Sequence, residues 1–185
     1  MKFIKTKIKD LVIIEPKIFE DERGYFFESY NEKVFKEDGG IDCKFVQDNQ
    51  SKSSYGVIRG LHCQLGEHSQ AKLVRVLQGK VLDVAVDIRR NSPTFGEYVA
   101  VELSDENFRQ FFIPRGFLHG FSVLSETAVF SYKVDNLYCK ASEFGIRYDA
   151  PELNIDWQIP DDKVITSEKD RIAHSLQDIK NLKDL

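Results

Sequence analysis

The sequence contains few cysteines, and their placement argues against both disulfide bonds and a zinc site. The three of them, Cys43, Cys63 and Cys139, form an odd number, and no two stand at the Cys-x-x-Cys spacing of zinc knuckles. Disulfide frameworks need paired cysteines and an oxidising compartment. We therefore expect reduced thiols and a cytoplasmic protein.

Long apolar runs and an excess of positive charge are missing as well. The run Leu11–Ile14 is too short for the core of a signal peptide or for a membrane span, so the sequence predicts neither export nor a membrane partner. Lys and Arg number 26 against 30 Asp and Glu, a formal net charge of −4, which predicts no nucleic-acid partner. An anionic ligand would have to be held by a few placed cations.

The chain also has no repeats, low-complexity segments or linkers. Its 185 residues are 42% apolar, which predicts a single globular domain over residues 1–185. Short stretches with strand character alternate with turn residues, and this pattern favours an all-β sandwich or jelly roll. The predicted strands are Leu11–Phe19 (interrupted by Pro16), Tyr25–Tyr30, Lys44–Asp48, Val57–Gln64, Ala71–Leu77, Lys80–Ile88, Glu97–Leu103, Arg109–Ile113, Gly120–Leu124 and Ala128–Val134.

The clearest alternation lies in Lys80–Ile88. Leu82 and Val84 point to one face, whereas Asp83 and Asp87 point to the other beside small apolar residues. This mixed face fits a solvated strand surface as well as the polar interior of a barrel. The strand by itself leaves both possibilities open.

Two helices are expected outside the strands. Asn31 as N-cap, with two glycines following the apolar residues, predicts a short helix over Glu32–Asp38. The tail Glu168–Leu185 has apolar residues at helical spacing, which predicts an amphipathic helix packed on the barrel. Its apolar stripe consists of Ile172, Leu176, Ile179 and Leu182.

Two segments stand out, Gly56–Gln64 and Pro114–His119. They resemble the signature motifs of the cupin superfamily, β-barrels in which three histidines and a glutamate hold a divalent metal. His62 and His119 stand at the first and last histidine positions, whereas Gln64 and Lys72 replace the second histidine and the glutamate. A charged ammonium has no lone pair for a metal and repels it. The resemblance therefore implies a cupin-type jelly-roll barrel without a metal, rebuilt around an anion or a carbonyl oxygen.

The lysine at a former metal position suggests a particular chemistry. A base removes a proton from the carbon next to a ketone only if the enolate oxygen is stabilised as its charge develops. Lys72 supplies a cation for that oxygen, and His62 supplies a base that titrates near neutral pH. Singly, such a histidine is more often a core residue and such a lysine more often solvated. Their joint placement favours the chemical interpretation.

Further motifs follow in a fixed order from about residue 8 to residue 170. They are Asp21-x-Arg23-Gly24-x-Phe26-x-Glu28, Gln47-x-Asn49-x-Ser51, Gly56-x-x-Arg59-Gly60-Leu61-His62, Lys72-Leu73-Val74-Arg75-Val76, Asp83-Val84-Ala85-Val86-Asp87-Ile88-Arg89, Phe112-Ile113-Pro114-x-Gly116-Phe117-x-His119-Gly120-Phe121 and Ser167-Glu168-Lys169-Asp170. Each is weak alone, but the series resembles the dTDP-4-dehydrorhamnose 3,5-epimerase family. The resemblance implies cofactor-free epimerisation at C3 and C5 of dTDP-4-dehydro-6-deoxy-D-glucose, in dTDP-L-rhamnose biosynthesis.

The same resemblance implies four catalytic residues. His62 would be the general base, held by Asp170 in a dyad that fixes the imidazole tautomer. Lys72 would stabilise the enolate. Tyr132 would deliver a proton from the opposite face of the sugar, because inversion requires groups on both faces. Without the resemblance, Tyr132 would be taken for an ordinary strand aromatic.

A binding site for the dTDP-sugar is implied too. Arg23 and Arg59 would hold the diphosphate, since guanidinium groups bind its oxygens in pairs, and Tyr138 would stack on the thymine. Family members are homodimers that exchange N-terminal strands, so a homodimer is expected. The other implied binding residues are Glu28, Gln47, Asn49, Lys72, His119, Glu143 and Lys169.

Three alternative functions stay open at this point. A metal-dependent cupin predicts a stoichiometric transition metal at His62 and His119, which elemental analysis would detect. A non-catalytic nucleotide-sugar-binding module needs the arginines and Tyr138 but no acid and base. An epimerase that inverts a single carbon of a related nucleotide 4-keto sugar would use much the same catalytic groups.

Overall fold

Short antiparallel strands are the main regular elements of the computed structural model, which describes residues 1–180. Three short α-helices accompany them: α1 (Glu32–Glu37), α2 (Glu168–Arg171) and α3 (Leu176–Lys180). The strands are β1 (Lys2–Lys5), β2 (Val12–Glu15), β3 (Phe19–Asp21), β4 (Gly24–Phe26), β5 (Gln47–Ser54), β6 (Ile58–Gln64), β7 (Lys72–Gln78), β8 (Lys80–Asp87), β9 (Tyr98–Ser104), β10 (Gln110–Ile113), β11 (Phe117–Val123), β12 (Thr127–Val134) and β13 (Glu143–Gly145).

These strands form two larger sheets and one hairpin. The six-stranded sheet has the order β1-β2-β10-β7-β12-β5, the five-stranded sheet has the order β13-β6-β11-β8-β9, and β3 pairs only with β4. The two sheets bury one apolar core between them, in which the rings of Phe121 on β11 and Phe130 on β12 stack at 4.2 Å. The all-β, cupin-type jelly roll predicted from the sequence is confirmed.

Strand β8 is buried on both faces, which settles the question that its mixed pattern left open. Leu82 and Val84 pack outward beneath the C-terminal segment, in a cluster that includes Trp157. Asp83 and Asp87 point the other way and are fully buried. The mixed face is therefore part of the barrel interior.

Asp87 is a well-satisfied buried carboxylate. It accepts hydrogen bonds from Arg89 Nε at 2.9 Å, Ser92 Oγ at 2.6 Å and Thr94 Oγ1 at 2.7 Å. Burial by itself would raise the pKa of Asp87, but these hydrogen bonds outweigh it and lower the pKa to about 2. The side chain holds the loop after β8 in place.

Helix α1 matches its prediction, and the side chain of Asn31 caps it by accepting a hydrogen bond from Val34 N at 3.2 Å.

The strand predicted at Lys44–Asp48 is wrong in its placement, because β5 runs over Gln47–Ser54. This strand is almost entirely polar, so apolar alternation gives no signal for it. Pairing with β12 along its whole length holds it at the sheet edge.

The single tail helix predicted over Glu168–Leu185 is also wrong. The chain leaves α2 after Arg171, and Ile172 is 78% exposed instead of packed. A short parallel bridge between His174 and Ile146 then brings the backbone back to the barrel, and α3 begins afterwards with Ile179 buried. Leu182 lies outside the described residues. Of the helices within residues 1–180, none has the length and apolar character that a membrane crossing requires.

Candidate active site

A cavity of about 740 Å³ lies between the two sheets and opens beside the C-terminal segment. Strands β5, β7 and β12 of the larger sheet form one side of its wall, and β6, β11 and β13 of the smaller sheet form the other. The sequence-predicted site residues that line it are Asn49, Arg59, His62, Lys72, His119, Tyr132, Tyr138, Glu143, Lys169 and Asp170.

His62 and Asp170 form the predicted dyad. His62 lies on β6, and Asp170 is presented by α2, whose N-cap Ser167 accepts from the Asp170 backbone N–H at 3.2 Å. The Asp170 carboxyl is 4% exposed and its Oδ1 lies 2.6 Å from His62 Nε2. Burial raises the pKa of Asp170, but the hydrogen bond with His62 outweighs this and the pKa falls below its ordinary value. The ionised carboxylate accepts a hydrogen bond from the Nε2–H group, so Nδ1 keeps a lone pair.

Two glycines allow the strand that carries His62 to approach its neighbour closely. Gly60 on β6 has a φ of +122°, and a Cβ at this position would lie 2.6 Å from Gly120 Cα on β11. The close approach places His62 directly opposite His119 in the strand register. A side chain at either glycine would push the two histidines apart.

Lys72 brings an ammonium group into the cavity from β7. Burial lowers its pKa, while Cys63, Asp83 and Glu143 act in the opposite direction. Within residues 1–180, Lys72 makes no ion pair. Its charge is therefore available to a ligand.

Tyr132 faces the same cavity from β12, in the sheet opposite to that of His62. Burial raises the pKa of its phenol; Arg59 lowers the pKa and Glu143 raises it further. At neutral pH the hydroxyl therefore keeps its proton and is suited to donate one.

His119 forms a second carboxylate–imidazole pair, which the sequence did not reveal. Its Nε2 lies 2.9 Å from Asp83 Oδ2, and both side chains are buried. Burial lowers the pKa of His119, and Lys72 and His62 lower it further, whereas Asp83 raises it. The mixed face of β8 was the sequence signal that Asp83 faces the barrel interior, but it gave no indication that His119 is the hydrogen-bond partner of Asp83.

Polar side chains surround the mouth of the cavity. Tyr138 is 53% exposed, and its hydroxyl donates a hydrogen bond to Glu143 Oε2 at 3.0 Å. The same carboxylate forms an ion pair with Lys169. Arg59 is exposed, with its Nε donating to Ser53 Oγ at 3.1 Å. This rim has the flat aromatic and the cations that a nucleoside diphosphate requires.

Three predicted residues do not line the cavity of their own chain. Arg23 is exposed in the β3–β4 hairpin and pairs with Asp21. Glu28 accepts from Asn31 Nδ2 at 3.0 Å, and the Gln47 side chain donates to Asn49 Oδ1 at 2.9 Å.

Some cavity-lining residues were missed by the sequence-based prediction. Ser51 follows Asn49 by two residues on β5, so the strand period would have placed both on one face once the strand was recognised. Thr166 and Ser167 reach the cavity because the C-terminal segment folds back over β6, which no local pattern signals.

The side chains that line the cavity do not suit a metal ion. Among residues 1–180, no group of three or more His, Cys, Asp or Glu side chains is arranged to hold a metal ion. His62 and His119 are each engaged by a carboxylate, and Lys72 adds positive charge beside them. The arrangement instead suits an acid–base reaction on an anionic intermediate.

Comparison with known proteins gives one consistent result. The sequence profile of the dTDP-4-dehydrorhamnose 3,5-epimerase family matches residues 5–178. An enzyme of that name from Shigella flexneri is 55% identical over 92% of this chain and 93% of its own length.

Solved structures agree with the sequence comparison. The crystal structure of dTDP-4-dehydrorhamnose 3,5-epimerase from Elizabethkingia anophelis is 61% identical, with a TM-score of 0.93 over 96% of this chain and 97% of that one. An epimerase from Legionella pneumophila, solved in complex with dTDP-4-keto-L-rhamnose, is 53% identical with a TM-score of 0.91, over 95% of this chain and 93% of that one.

Proposed function

The chain belongs to the dTDP-4-dehydrorhamnose 3,5-epimerase family, and on that premise we propose how its residues carry out the reaction. The protein is an isomerase that inverts C3 and C5 of dTDP-4-dehydro-6-deoxy-D-glucose and yields dTDP-4-dehydro-L-rhamnose, in dTDP-L-rhamnose biosynthesis. The observation that supports our assignment is the placement of His62 and Tyr132 on opposite sheets of one cavity, which Lys72 also lines.

His62 is the base in this proposal. Its Nδ1 removes the proton from the carbon next to the C4 ketone, and the electrons of the C–H bond move into the enolate. Asp170 holds Nε2 and stabilises the imidazolium that forms, as a carboxylate behind a histidine does in other acid–base sites. The carboxylate itself stays ionised throughout.

Lys72 stabilises the enolate oxygen. The negative charge that leaves the carbon gathers on the C4 oxygen, and a fixed ammonium in a site of low dielectric lowers the energy of that state more than it would in water. Because Lys72 has no ion-pair partner in the described part of the chain, it does not have to break a salt bridge first.

Tyr132 completes the inversion. Its hydroxyl gives a proton to the carbon from the face opposite to His62, which closes the enolate back to the ketone in the inverted configuration. The imidazolium and the phenolate that remain return to their starting forms by exchanging a proton with water. The same cycle then acts on the second carbon.

The nucleotide lies at the mouth of the cavity in our proposal. Tyr138 stacks on the thymine, and Arg59 binds the diphosphate. The other groups that support the ligand are Asn49, His119, Glu143 and Lys169, all of which line the cavity.

We further propose that the protein is a homodimer whose subunits complete each other's sites. The β3–β4 hairpin exposes 53% of Phe19, 59% of Tyr25 and 71% of Phe26, an apolar surface that a second copy would cover. The hairpin also carries Arg23, and Glu28 follows it. Both residues are then ligand-binding groups of the partner's cavity, and Gln47 lies near the same boundary through its contact with Asn49.

Co-expression of two inactive variants tests this exchange. His62→Ala removes the base, and Arg23→Ala removes the diphosphate contact that, in our proposal, serves the partner. Random mixing would give half mixed dimers with one complete site each, and so about a quarter of the wild-type activity.

The two variants purified separately and mixed without unfolding serve as the control, and they are expected to stay inactive or weak. If Arg23 serves its own chain, no combination of subunits holds a complete site. Co-expression then gives no recovery, and the exchange is ruled out.

Deuterium wash-in tests the reaction itself. In D2O, the purified protein is expected to introduce deuterium at both C3 and C5 of dTDP-4-dehydro-6-deoxy-D-glucose, measured by NMR and mass spectrometry. Exchange at one carbon only would identify a single-carbon epimerase. Binding without exchange would identify a non-catalytic nucleotide-sugar-binding protein.

We infer that residues 1–185 form one catalytic domain and that the reaction takes place in the cytoplasm. The three cysteines, which are free thiols, support that location.

A further inference from the structure

Asp83 has no part in the mechanism above, although its partner His119 lines the cavity. Asp83 is fully buried, and only one of its two carboxylate oxygens is satisfied: Oδ2 faces His119 Nε2 at 2.9 Å, whereas Oδ1 has no hydrogen-bond partner. A buried carboxylate oxygen without a partner costs free energy. On the same strand, Asp87 shows that a buried carboxylate can be fully satisfied in this fold.

Asp83 lies behind the cavity wall. His119, Phe121 and Lys72 line the cavity, but Asp83 does not. The carboxylate therefore does not reach a ligand directly, and any effect on the reaction must pass through the groups in front of it.

Lys72 and Asp83 face the interior from opposite sheets. On β8, Asp83 alternates with Val81 and Ala85, which belong to the inner core. On β7, Lys72 alternates with Val74 and Val76 of the same core. The two charges thus point into one space of low dielectric, where charges influence each other strongly.

The other groups that face Lys72 cannot replace Asp83. Cys63 on β6 is neutral at working pH, because burial raises the pKa of its thiol to about 12. Glu143 on β13 already forms an ion pair with Lys169. Within residues 1–180, Asp83 is the carboxylate near Lys72 that no cation neutralises. Its partner His119 does not neutralise it, because burial lowers the pKa of the imidazole and keeps the ring uncharged.

We propose that Asp83 is a positioning residue for the epimerisation: through Oδ2 it fixes the ring of His119, and through its buried charge it keeps Lys72 in the ammonium form that the enolate requires. This inference rests on the proposed role of Lys72. It explains why the fold retains a buried carboxylate with an unpartnered oxygen. It also assigns a role to the second histidine–carboxylate pair.

The test is the pH dependence of kcat/KM for dTDP-4-dehydro-6-deoxy-D-glucose in Asp83→Asn. Loss of the negative charge makes the ammonium of Lys72 easier to deprotonate, so the alkaline limb of the profile is expected to move to lower pH by about one unit or more. At neutral pH, kcat/KM is expected to fall on the order of 10-fold, as for other carboxylates that hold a histidine from behind. Asp83→Ser removes the same charge with a smaller polar side chain and is expected to show the same shift.

Asp87→Asn is the matched control, since it neutralises a second buried carboxylate on the same strand. It is expected to lower the melting temperature and to leave the alkaline limb in place. An unchanged limb in both Asp83 variants, or an equal shift in Asp87→Asn, overturns the role of Asp83. Deuterium wash-in by His62→Ala is measured in parallel. Exchange that survives there refutes the proposed mechanism with His62 as the base, whereas its loss beside an unshifted Asp83→Asn refutes only this inference.

Discussion

Replacement of His62 by alanine is expected to remove most of both inversion and deuterium wash-in at C3 and C5. His119 is the other described imidazole in the cavity that faces a carboxylate, but it is more deeply buried and burial lowers its pKa, so we do not expect it to replace His62 as the base. Loss of a positioned general base costs about 100- to 10,000-fold in rate. The measurement is the initial rate of wash-in by NMR, with binding of dTDP measured separately by calorimetry to show that the site is still formed.

His68→Ala is the matched control for this prediction. His68 follows β6 in the same segment of the chain but does not line the cavity. It is expected to exchange deuterium at the wild-type rate. Wash-in by His62→Ala at a rate close to wild type would mean that another group is the base.

Replacement of Tyr132 by phenylalanine is expected to have the second largest effect, and one of a different kind. The variant loses only a hydroxyl, so the base and the enolate-stabilising lysine remain. Proton abstraction by His62 then continues slowly, while delivery from the opposite face fails. We expect wash-in to be strongly slowed and net inversion to fall further, by about 100-fold or more.

The ratio of wash-in to inversion is therefore the decisive quantity for Tyr132. It is expected to rise in Tyr132→Phe, because deuterium returned by His62 enters on the face from which the proton left. Tyr98→Phe, which removes a hydroxyl outside the cavity, is expected to leave the ratio unchanged. An unchanged ratio in Tyr132→Phe would show that the second proton comes from another donor.

The individual strands were the part of the fold best predicted from sequence. Alternation located β8 and its two faces, and the Asn31 cap located α1. Alternation failed for β5, where a run of polar residues is held in place by pairing with β12. It also failed for the tail, where contacts with the barrel interrupt the helix that the apolar spacing predicted.

The candidate site, too, was predicted from the sequence only in part. Residue types, together with the family resemblance that the motif order carries, predicted the site residues, and ten of them line one cavity. Arg23, Glu28 and Gln47 do not, because a single chain places them outside its own cavity. Their roles stay predictions that depend on a second copy.

The sequence by itself determined the local faces of the strands and the chemical character of the groups, including a lysine at a position that suits a metal ligand in related barrels. Only the tertiary structure decided that Asp170 meets His62 across 108 residues of chain, that Tyr132 faces His62 from the opposite sheet, and that Asp83 is buried behind His119. The physical reason is that side-chain alternation is set by the backbone within one strand. Which strands pair, and which segment folds over them, depends on burial and hydrogen bonding between residues that are far apart in the sequence.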